Sequence, residues 1–502
     1  MLVENQGHVP DILDCIANLS SDEVFTPPDV ANQVLDLLPK EIWSNPDIKI
    51  LDPCTKTGIF LRESARRLMI GLEKKIPDET ERREHIFRNM LFGIAITELT
   101  GLVARRSLYY SKDAKNDYSV VQFKDSDGNI QFKRMEHDYV QGKCKVCGSP
   151  YENLERGDAM ENYAYQFIHE EVATDMKFDV VVGNPPYQVT DGGGGKGSSA
   201  SPLYHLFVNQ AFRLKPRYVA MIIPARWFSG GKGLDSFRTQ MLASKNFQHM
   251  VYYPDSAEIF PGPDFGGGVC YFLWDEKYEG ICKFKTVQQN QVTSEIDRYL
   301  DEDGEVFVSM TEARPILKKV LAKGYETFET QVSSRKPFGF SSTFREFQSS
   351  KSKDSIKIYL SDGEGWIKKE QVLVNQDWIP KWKVVIGKAY GERGAYPFKI
   401  IAEPKIYEPN SVCSETYLVC GVFNNKEDAE LLVKYMSTRF FRFLLALQKN
   451  TQNITKDKFS FVPVMDLSKN WTEESLYKHF GIDKTEQSFI NSIVREFIPL
   501  DA

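Results

Sequence analysis

The feature that most constrains this chain is a series of short apolar runs, each ending at a polar turn that carries Gly or Pro. IKILDPCTKTGIF (48–60), MLFGIAIT (90–97), FDVVVGNPPY (178–187), RYVAMIIPARWF (217–228) and GGVCYFLWD (267–275) are of this kind. Runs this short with little polar alternation predict strands buried on both faces. Helical patterns lie between them. In VFTPPDVANQVLDLL (24–38), Thr26 stands at an N-cap position, Pro27 and Pro28 suit a first turn, and Val30, Val34, Leu35 and Leu38 recur at helical spacing. RESARRLMIGL (62–72) and LTGLVARRSLYY (99–110) follow the first two strands. This alternation predicts an α/β domain around a mostly parallel sheet, with ligands bound beyond the carboxyl ends of its strands.

The rhythm is interrupted at 111–155, a polar and hairpin-like stretch read as an insertion, which contains Cys144-Lys-Val-Cys147-Gly. DGGGGKGSSAS (191–201) is a flexible loop by composition. Around 276–310 the pattern changes and acids cluster at 301–305, so a domain boundary is expected near 285, giving units 1–285 and 286–502. The second unit offers strand-like WKVVIG (382–387) and one long helix, 426–449. With 502 residues, 42% hydrophobic and 26% charged, the chain is ordinary globular protein. Eight cysteines are too few for a disulfide scaffold. The N-terminus has no basic-then-apolar leader, and no run is long and apolar enough to span a bilayer, so a cytoplasmic protein without membrane contact is expected. Net charge is −6, yet residues 331–460 hold 21 Lys+Arg against 14 Asp+Glu. A local basic face of that kind is enough for nucleic-acid binding, although such stretches are often plain solvated surface.

The strongest chemical signal is Asn184-Pro185-Pro186-Tyr187, directly after the strand FDVVVG. Two successive prolines stiffen the turn. A stiff turn can hold the Asn184 amide oxygen and the Pro185 carbonyl as paired acceptors for both hydrogens of an exocyclic amino group, and Tyr187 can stack on the planar ring that carries it. Leu51 to Phe60 is the second signal: an acid-Pro strand end and a small-residue turn that let backbone approach a ligand, then a helix whose first N–H groups are free. Phe25-Thr26-Pro27-Pro28 adds another helix N-terminus suited to a carboxylate. Cys54 and Cys270 read as packing residues.

These motifs, in this order, resemble the amino-group DNA methyltransferases that use S-adenosylmethionine, in the N6-adenine branch, and most closely the Eco57I-type methylases of restriction–modification systems. The resemblance covers about residues 20–275. It implies a Rossmann-like methyltransferase domain, a mixed and mostly parallel sheet with helices on both faces, followed by a C-terminal α+β target-recognition domain. It implies that Phe25, Thr26 and Pro27 touch the methionine part of the cofactor, that Asp52, Pro53 and Gly58 form the cofactor loop, and that Asp158 accepts from the cofactor's adenine amino group. Asn184, Pro185, Pro186 and Tyr187 become the catalytic turn, and Phe265 or Tyr271 would pack against the flipped base. Two departures stand out. Lys56 occupies a position where the family usually has Gly, and Ala95 and Thr97 stand where an acid usually holds the ribose, leaving Glu98 as the nearest carboxylate.

The resulting expectation is a site-specific enzyme that methylates N6 of a flipped adenine in double-stranded DNA, in a restriction–modification or phage-defence system with a separate cognate endonuclease. About 20 residues precede the first cofactor motif, too few for a nuclease ahead of it. The Gly-rich loop is placed either to close over DNA or as simple surface. N4-cytosine methylation, glutamine-amide methylation of a protein, and a recognition subunit with degraded cofactor motifs are the competing readings. His137, Cys144 and Cys147 are read either as part of one structural zinc site lacking an identified fourth ligand, with His169 farther along, or as surface thiols beside a tight turn. Lys449, Lys456 and Lys458 are candidate phosphate contacts, as are the basic stretches 333–337 and 378–383, while Phe440, Phe441 and Phe443 are expected in the core.

Overall fold

The computed structural model describes residues 24–154, 163–169, 176–189, 201–231, 233–260, 265–302, 304, 306–392, 396–449 and 452–497. Two compact units divide the chain at 1–307 and 308–502. The break thus falls about 20 residues later than the composition change suggests, because Cys282–Gln288 and Gln291–Arg298 are still strands of the first unit's sheet.

In the first unit the strands are β1 (Ile50–Thr55), β2 (Leu91–Ala95), β3 (Ile130–Gln131), β4 (Tyr139–Val140), β5 (Lys143–Cys144), β6 (Val180–Gly183), β7 (Gln188–Val189), β8 (Ser201–Pro202), β9 (Tyr218–Pro224), β10 (Phe247–Tyr253), β11 (Val269–Asp275), β12 (Cys282–Gln288) and β13 (Gln291–Arg298). Nine of them form one sheet in the order β13-β12-β10-β11-β9-β6-β1-β2-β3. From β3 to β9 every neighbour is parallel. β11 then runs antiparallel to both β9 and β10. The strand order turns about β1, with β2 on one side and β6 on the other, and such a switch point opens a crevice at the carboxyl ends of the strands.

The pleat alternates residues between two apolar layers. Ile50, Val180, Val182 and Ile222 face one, with helices α1 (Pro28–Leu35), α2 (Ile59–Gly71), α3 (Glu79–Asn89) and α4 (Glu98–Tyr109). Leu51, Val181, Val219 and Met221 face the other, with Tyr204–Arg213 and Asp235–Ala243. All eight strand residues are at most 2% exposed, each contributing roughly 1.5–3 kcal/mol by burial. The elements expected from the sequence are present with small boundary shifts. Helix α3 has no strong apolar stripe and is set instead by Asp78, whose side chain accepts from the Glu81 N–H.

Part of the expected insertion belongs to the fold. Instead of a hairpin over 120–135, Ile130–Gln131 forms the sheet's edge strand, parallel to β2, because Val121 and Ile130 are buried in the core. The true hairpin is β4–β5, closed by Gln141 and Gly142 at φ 52° and 76°.

The second unit is α+β. It has two three-stranded sheets, one built on Ser355–Leu360 and one on Trp382–Gly387, and helices that include Lys426–Ser437 and Arg439–Ala446. The single helix expected over 426–449 is broken at Thr438, which leaves the helical region (φ −63°, ψ 149°) and whose hydroxyl accepts from the Phe441 N–H. Phe440, Phe441 and Phe443 are fully buried, as expected.

Gly58 tests how tightly the turn after β1 is built. Its φ is +73°, and an added Cβ would stand 3.2 Å from the backbone of Ala104. Gly58→Ala should therefore lose about 1–3 kcal/mol in urea denaturation, and an unchanged midpoint would show that the turn relaxes freely.

Candidate functional site

The switch point lies at the ends of the adjacent strands β1 and β6. Asp52 sits within β1, and the turn Asn184–Tyr187 leaves β6. Gly183 permits their approach, since a Cβ there would lie 2.9 Å from Asp52 Oδ1. All four residues of the turn are buried. The Tyr187 carbonyl accepts from the Leu203 N–H at 3.1 Å, and β7 pairs antiparallel with β8, so the chain leaves and returns at this turn. The Gly-rich stretch 191–200 between them lies outside the described residues.

The Asn184 amide has a defined orientation. Its Nδ2 donates to the Val24 carbonyl at 3.2 Å and to Thr26 Oγ1 at 3.0 Å. A backbone carbonyl only accepts, so the nitrogen must face Val24 and the oxygen must face away. Oδ1 is buried and, among the described residues, has no hydrogen-bond partner. Thr26 therefore does not cap α1. Pro27 occupies the N-cap without a side-chain hydrogen bond, and the threonine hydroxyl serves Asn184 instead. Phe25 is half-buried beside it.

Lys56, the departure from the family's Gly, is buried and donates from Nζ to the Val24 carbonyl at 2.9 Å. One carbonyl thus receives both Lys56 and Asn184, and the lysine braces the segment that orients the amide. Asp52 is buried beside it, its Oδ1 accepting from the Cys54 N–H at 3.2 Å. Burial pushes its carboxyl up to about 7 from 3.8, against the lowering effect of the Cys54 N–H, the Thr55 side chain and the Lys56 charge. Burial likewise pushes the Cys54 thiol well up, so Cys54 and Cys270 are packing residues. Gly58 precedes α2 and brings no side-chain cap, which leaves first-turn N–H groups for a ligand.

At the end of β2, Thr97 is the N-cap of α4 in a reciprocal capping box with Thr100, and Glu98 is exposed in the first turn. Asp158 lies outside the described residues. The Tyr187 ring is not open to solvent. It packs edge-to-face against Phe265 at 4.8 Å and Phe260 at 6.2 Å, and its buried hydroxyl has no partner among the described residues. Of the two candidate base-packing aromatics, Phe265 touches Tyr187, whereas Tyr271 donates its hydroxyl to Gln33 Oε1 at 3.3 Å. A groove of about 830 Å³ lies among helices α2, α3 and α4 and shares no residue with this turn.

His137, Cys144 and Cys147 do come together, and His169 joins them: the four candidate ligand atoms lie within 4.8 Å of one another. The spacing of His169 gave no signal for this, because β4–β5 folds back to meet it.

Several of the candidate phosphate contacts in the second unit are engaged within the chain. Lys449 Nζ donates to the Tyr390 carbonyl at 2.7 Å, and burial pushes it down to about 8. Lys458 is buried and pairs with Asp457 at 3.0 Å. Lys383 Nζ donates to the carbonyls of Trp378, Ile379, Lys381 and Glu408. Arg335 pairs with Glu415. Lys456 is exposed.

Asp52 gives this site a pH signature. Its folded-state value lies above the usual one, so its contribution to stability is complete below about pH 4 and is lost as pH rises through about 7. Asp52→Asn should therefore raise the ligand-free stability at pH 8, by up to about 4 kcal/mol, and leave it unchanged near pH 4. Parallel urea curves at the two pH values check this, and an equal effect at both would remove the assigned shift.

The Eco57I restriction-modification methylase family matches residues 89–260, a stretch that holds the Asn184 turn. An uncharacterized adenine-specific methylase of Mycoplasma pneumoniae is 38% identical over 311 residues, covering 56% of this chain and 73% of the relative. Among solved structures, a nuclease-deletion mutant of the Type ISP restriction-modification enzyme LlaGI, in complex with a DNA substrate mimic, aligns with a TM-score of 0.50 at 13% identity over 89% of this chain and 47% of that one. The Type IIL restriction-modification enzyme MmeI, in complex with DNA, aligns with a TM-score of 0.44 at 10% identity over 86% of this chain and 63% of that one. The chain thus spans about half to two thirds of the length of these two structures, and the first speaks for a shared fold. From its likeness to the Mycoplasma methylase and the matched region around the β6 turn, the chain belongs to the Eco57I restriction-modification methylase family.

Proposed function

We propose that this chain is a site-specific DNA methyltransferase that modifies N6 of an adenine turned out of the duplex, with S-adenosylmethionine as methyl donor, within a restriction–modification system. The single observation that carries this is Asn184 Oδ1, a buried acceptor held without a partner among the described residues, at the switch point of the sheet.

The residues present fit the cofactor. Two uncapped helix N-termini, at Pro28 and Gly58, suit its carboxylate, and Asp52 supplies a buried carboxyl beside them. Glu98 at the end of β2 is exposed and suits the ribose hydroxyls. Asp158 is assigned to the cofactor's adenine by family resemblance. When bound, S-adenosylmethionine supplies a methyl group made electrophilic by its sulfonium.

The chain's own residues do the rest. Asn184 Oδ1 and the Pro185 carbonyl accept the two hydrogens of the target amino group, which withdraws its lone pair from the ring and aims it at the methyl. The same acceptors stabilise positive charge as it develops on nitrogen. The Val24 and Thr26 bonds keep the amide from rotating, so no reorganisation is required at the moment of transfer. Entry of the base displaces Phe265 from Tyr187, and extrusion from the stack costs a few kcal/mol. The second unit, 308–502, serves as the target-recognition domain, with exposed Lys456 as its phosphate contact in place of Lys449 and Lys458. A separate endonuclease completes the system, and zinc enters as a structural component with no part in the transfer.

Asn184→Ala should lower methyl transfer to cognate DNA by about 10²–10³-fold while S-adenosylmethionine affinity stays near normal. Mass spectrometry of nucleosides from DNA methylated in cells, with calorimetry of the cofactor, reads both. Retained transfer, or transfer to cytosine N4 or to protein alone, would sink the proposal. Thr26→Val should lower kcat about tenfold with little change in KM, because one of the two bonds that orient the amide is gone. A pure KM effect would assign Thr26 to ligand binding instead.

A further inference from the structure

We propose that His137, Cys144, Cys147 and His169 bind one structural zinc ion, and that this ion locks residues 163–169 against the end of β2, where the cofactor's ribose is expected. The second half of the inference rests on the cofactor placement proposed above; the first half stands without it.

Cys144 Sγ lies 3.9 Å from His169 Nε2, and Cys147 Sγ lies 3.9 Å from His137 Nδ1. A tetrahedral zinc ion with ordinary bond lengths needs about 3.3–3.8 Å between its ligand atoms, so each Cys–His pair needs only a small contraction, and the set, within 4.8 Å throughout, closes by about 1 Å at its widest. Each thiol faces an imidazole, and the two rings stand 4.6 Å apart at 83°. The cysteines are buried and His137 is 9% exposed.

The surroundings favour the ligating forms. His137 Nε2 lies 3.1 Å from the Tyr163 carbonyl, which only accepts, so that nitrogen carries the proton and the Nδ1 lone pair faces Cys147. The Val146 N–H donates to Cys144 Sγ at 3.4 Å. The Gly148 N–H donates to the Cys144 carbonyl at 2.9 Å, with Gly148 at φ +70° closing the turn. Four protein ligands leave no open position, so the ion is structural and not catalytic.

The lock follows from what the ligands hold. Residues 163–169 are gripped at one end by His137 through the Tyr163 carbonyl and at the other by His169 itself. Between them the Ala164 N–H donates to the Ile96 carbonyl at 2.9 Å, directly ahead of the Thr97 cap. Tyr163 and Tyr165 stack at 5.5 Å, and Tyr165 meets Phe207 edge-on at 6.3 Å. Phe167, fully buried and stacked on Phe207 at 6.0 Å, anchors the middle of this run in the core, so the ion's part is to fix its two ends beside β2.

The experiment is metal analysis of the full chain purified without chelator, together with calorimetry of S-adenosylmethionine. About one zinc per chain is expected, falling towards zero in Cys147→Ser and in His169→Ala. Absence of zinc in the parent overturns the site, and full occupancy in His169→Ala overturns the four-ligand set. Cobalt in place of zinc should show the visible absorption of a tetrahedral two-sulfur, two-nitrogen site, which keeps the assignment testable if a variant fails to fold; an octahedral spectrum counts against it. Zinc removal by chelator should weaken S-adenosylmethionine binding about tenfold, reversed on adding zinc back. Unchanged affinity after confirmed removal overturns the lock. Asn184→Ala should keep its zinc in full, so loss of the transferase reading and loss of the metal reading are distinguishable.

Discussion

The site depends on one backbone carbonyl. Val24 accepts from both Lys56 and Asn184, and because a carbonyl cannot donate, it dictates which end of the Asn184 amide faces the protein. Among the described residues the oxygen is thereby left buried and unpartnered, at a cost of about 1–3 kcal/mol. On the proposed function, that cost is the physical content of preorganisation: an acceptor held ready for the hydrogens of the target amino group.

The sheet makes this arrangement available. Strands β1 and β6 are neighbours although about 130 residues separate them, and their ends bring Asp52, Lys56 and Asn184 to one corner. Gly183 has no side chain to hold the two strands apart at Asp52. Burial then sets the electrostatics, raising the Asp52 carboxyl against the opposing Lys56 charge. The same departure from the family pattern that makes the cofactor loop unusual, a lysine in place of a glycine, is absorbed as a brace. Of the two departures behind the reading of a recognition subunit with degraded cofactor motifs, Lys56 has a defined partner within the site, and Ala95 stands at the end of β2.

Charge counting is less informative in the second unit. The positive surplus over 331–460 suggests a basic face, but Lys383, Arg442 and Lys449 spend their donors on backbone carbonyls, and Arg335 is paired with Glu415. A long cationic side chain can serve as a multiple donor to buried carbonyls as readily as it binds phosphate. Which role it takes depends on whether the chain's own carbonyls reach it first.

Much of this protein was legible in the sequence alone. Apolar runs long enough for strands and closed by Gly or Pro turns specify a parallel α/β sheet, since such runs have no polar face to show to water. Asn184-Pro185-Pro186-Tyr187 announces a rigid acceptor turn because proline restricts the backbone wherever it stands. Local chemistry decides those features, and local chemistry is written in adjacent residues. Only the tertiary structure decided that Thr26 orients Asn184 and does not cap α1, that Lys56 reaches Val24, that Ile130 completes the sheet, and that His169 joins a pair of cysteines more than 20 residues earlier. Each of these joins groups far apart in the chain, and their meeting is set by how the sheet and its helices pack, which no local pattern encodes.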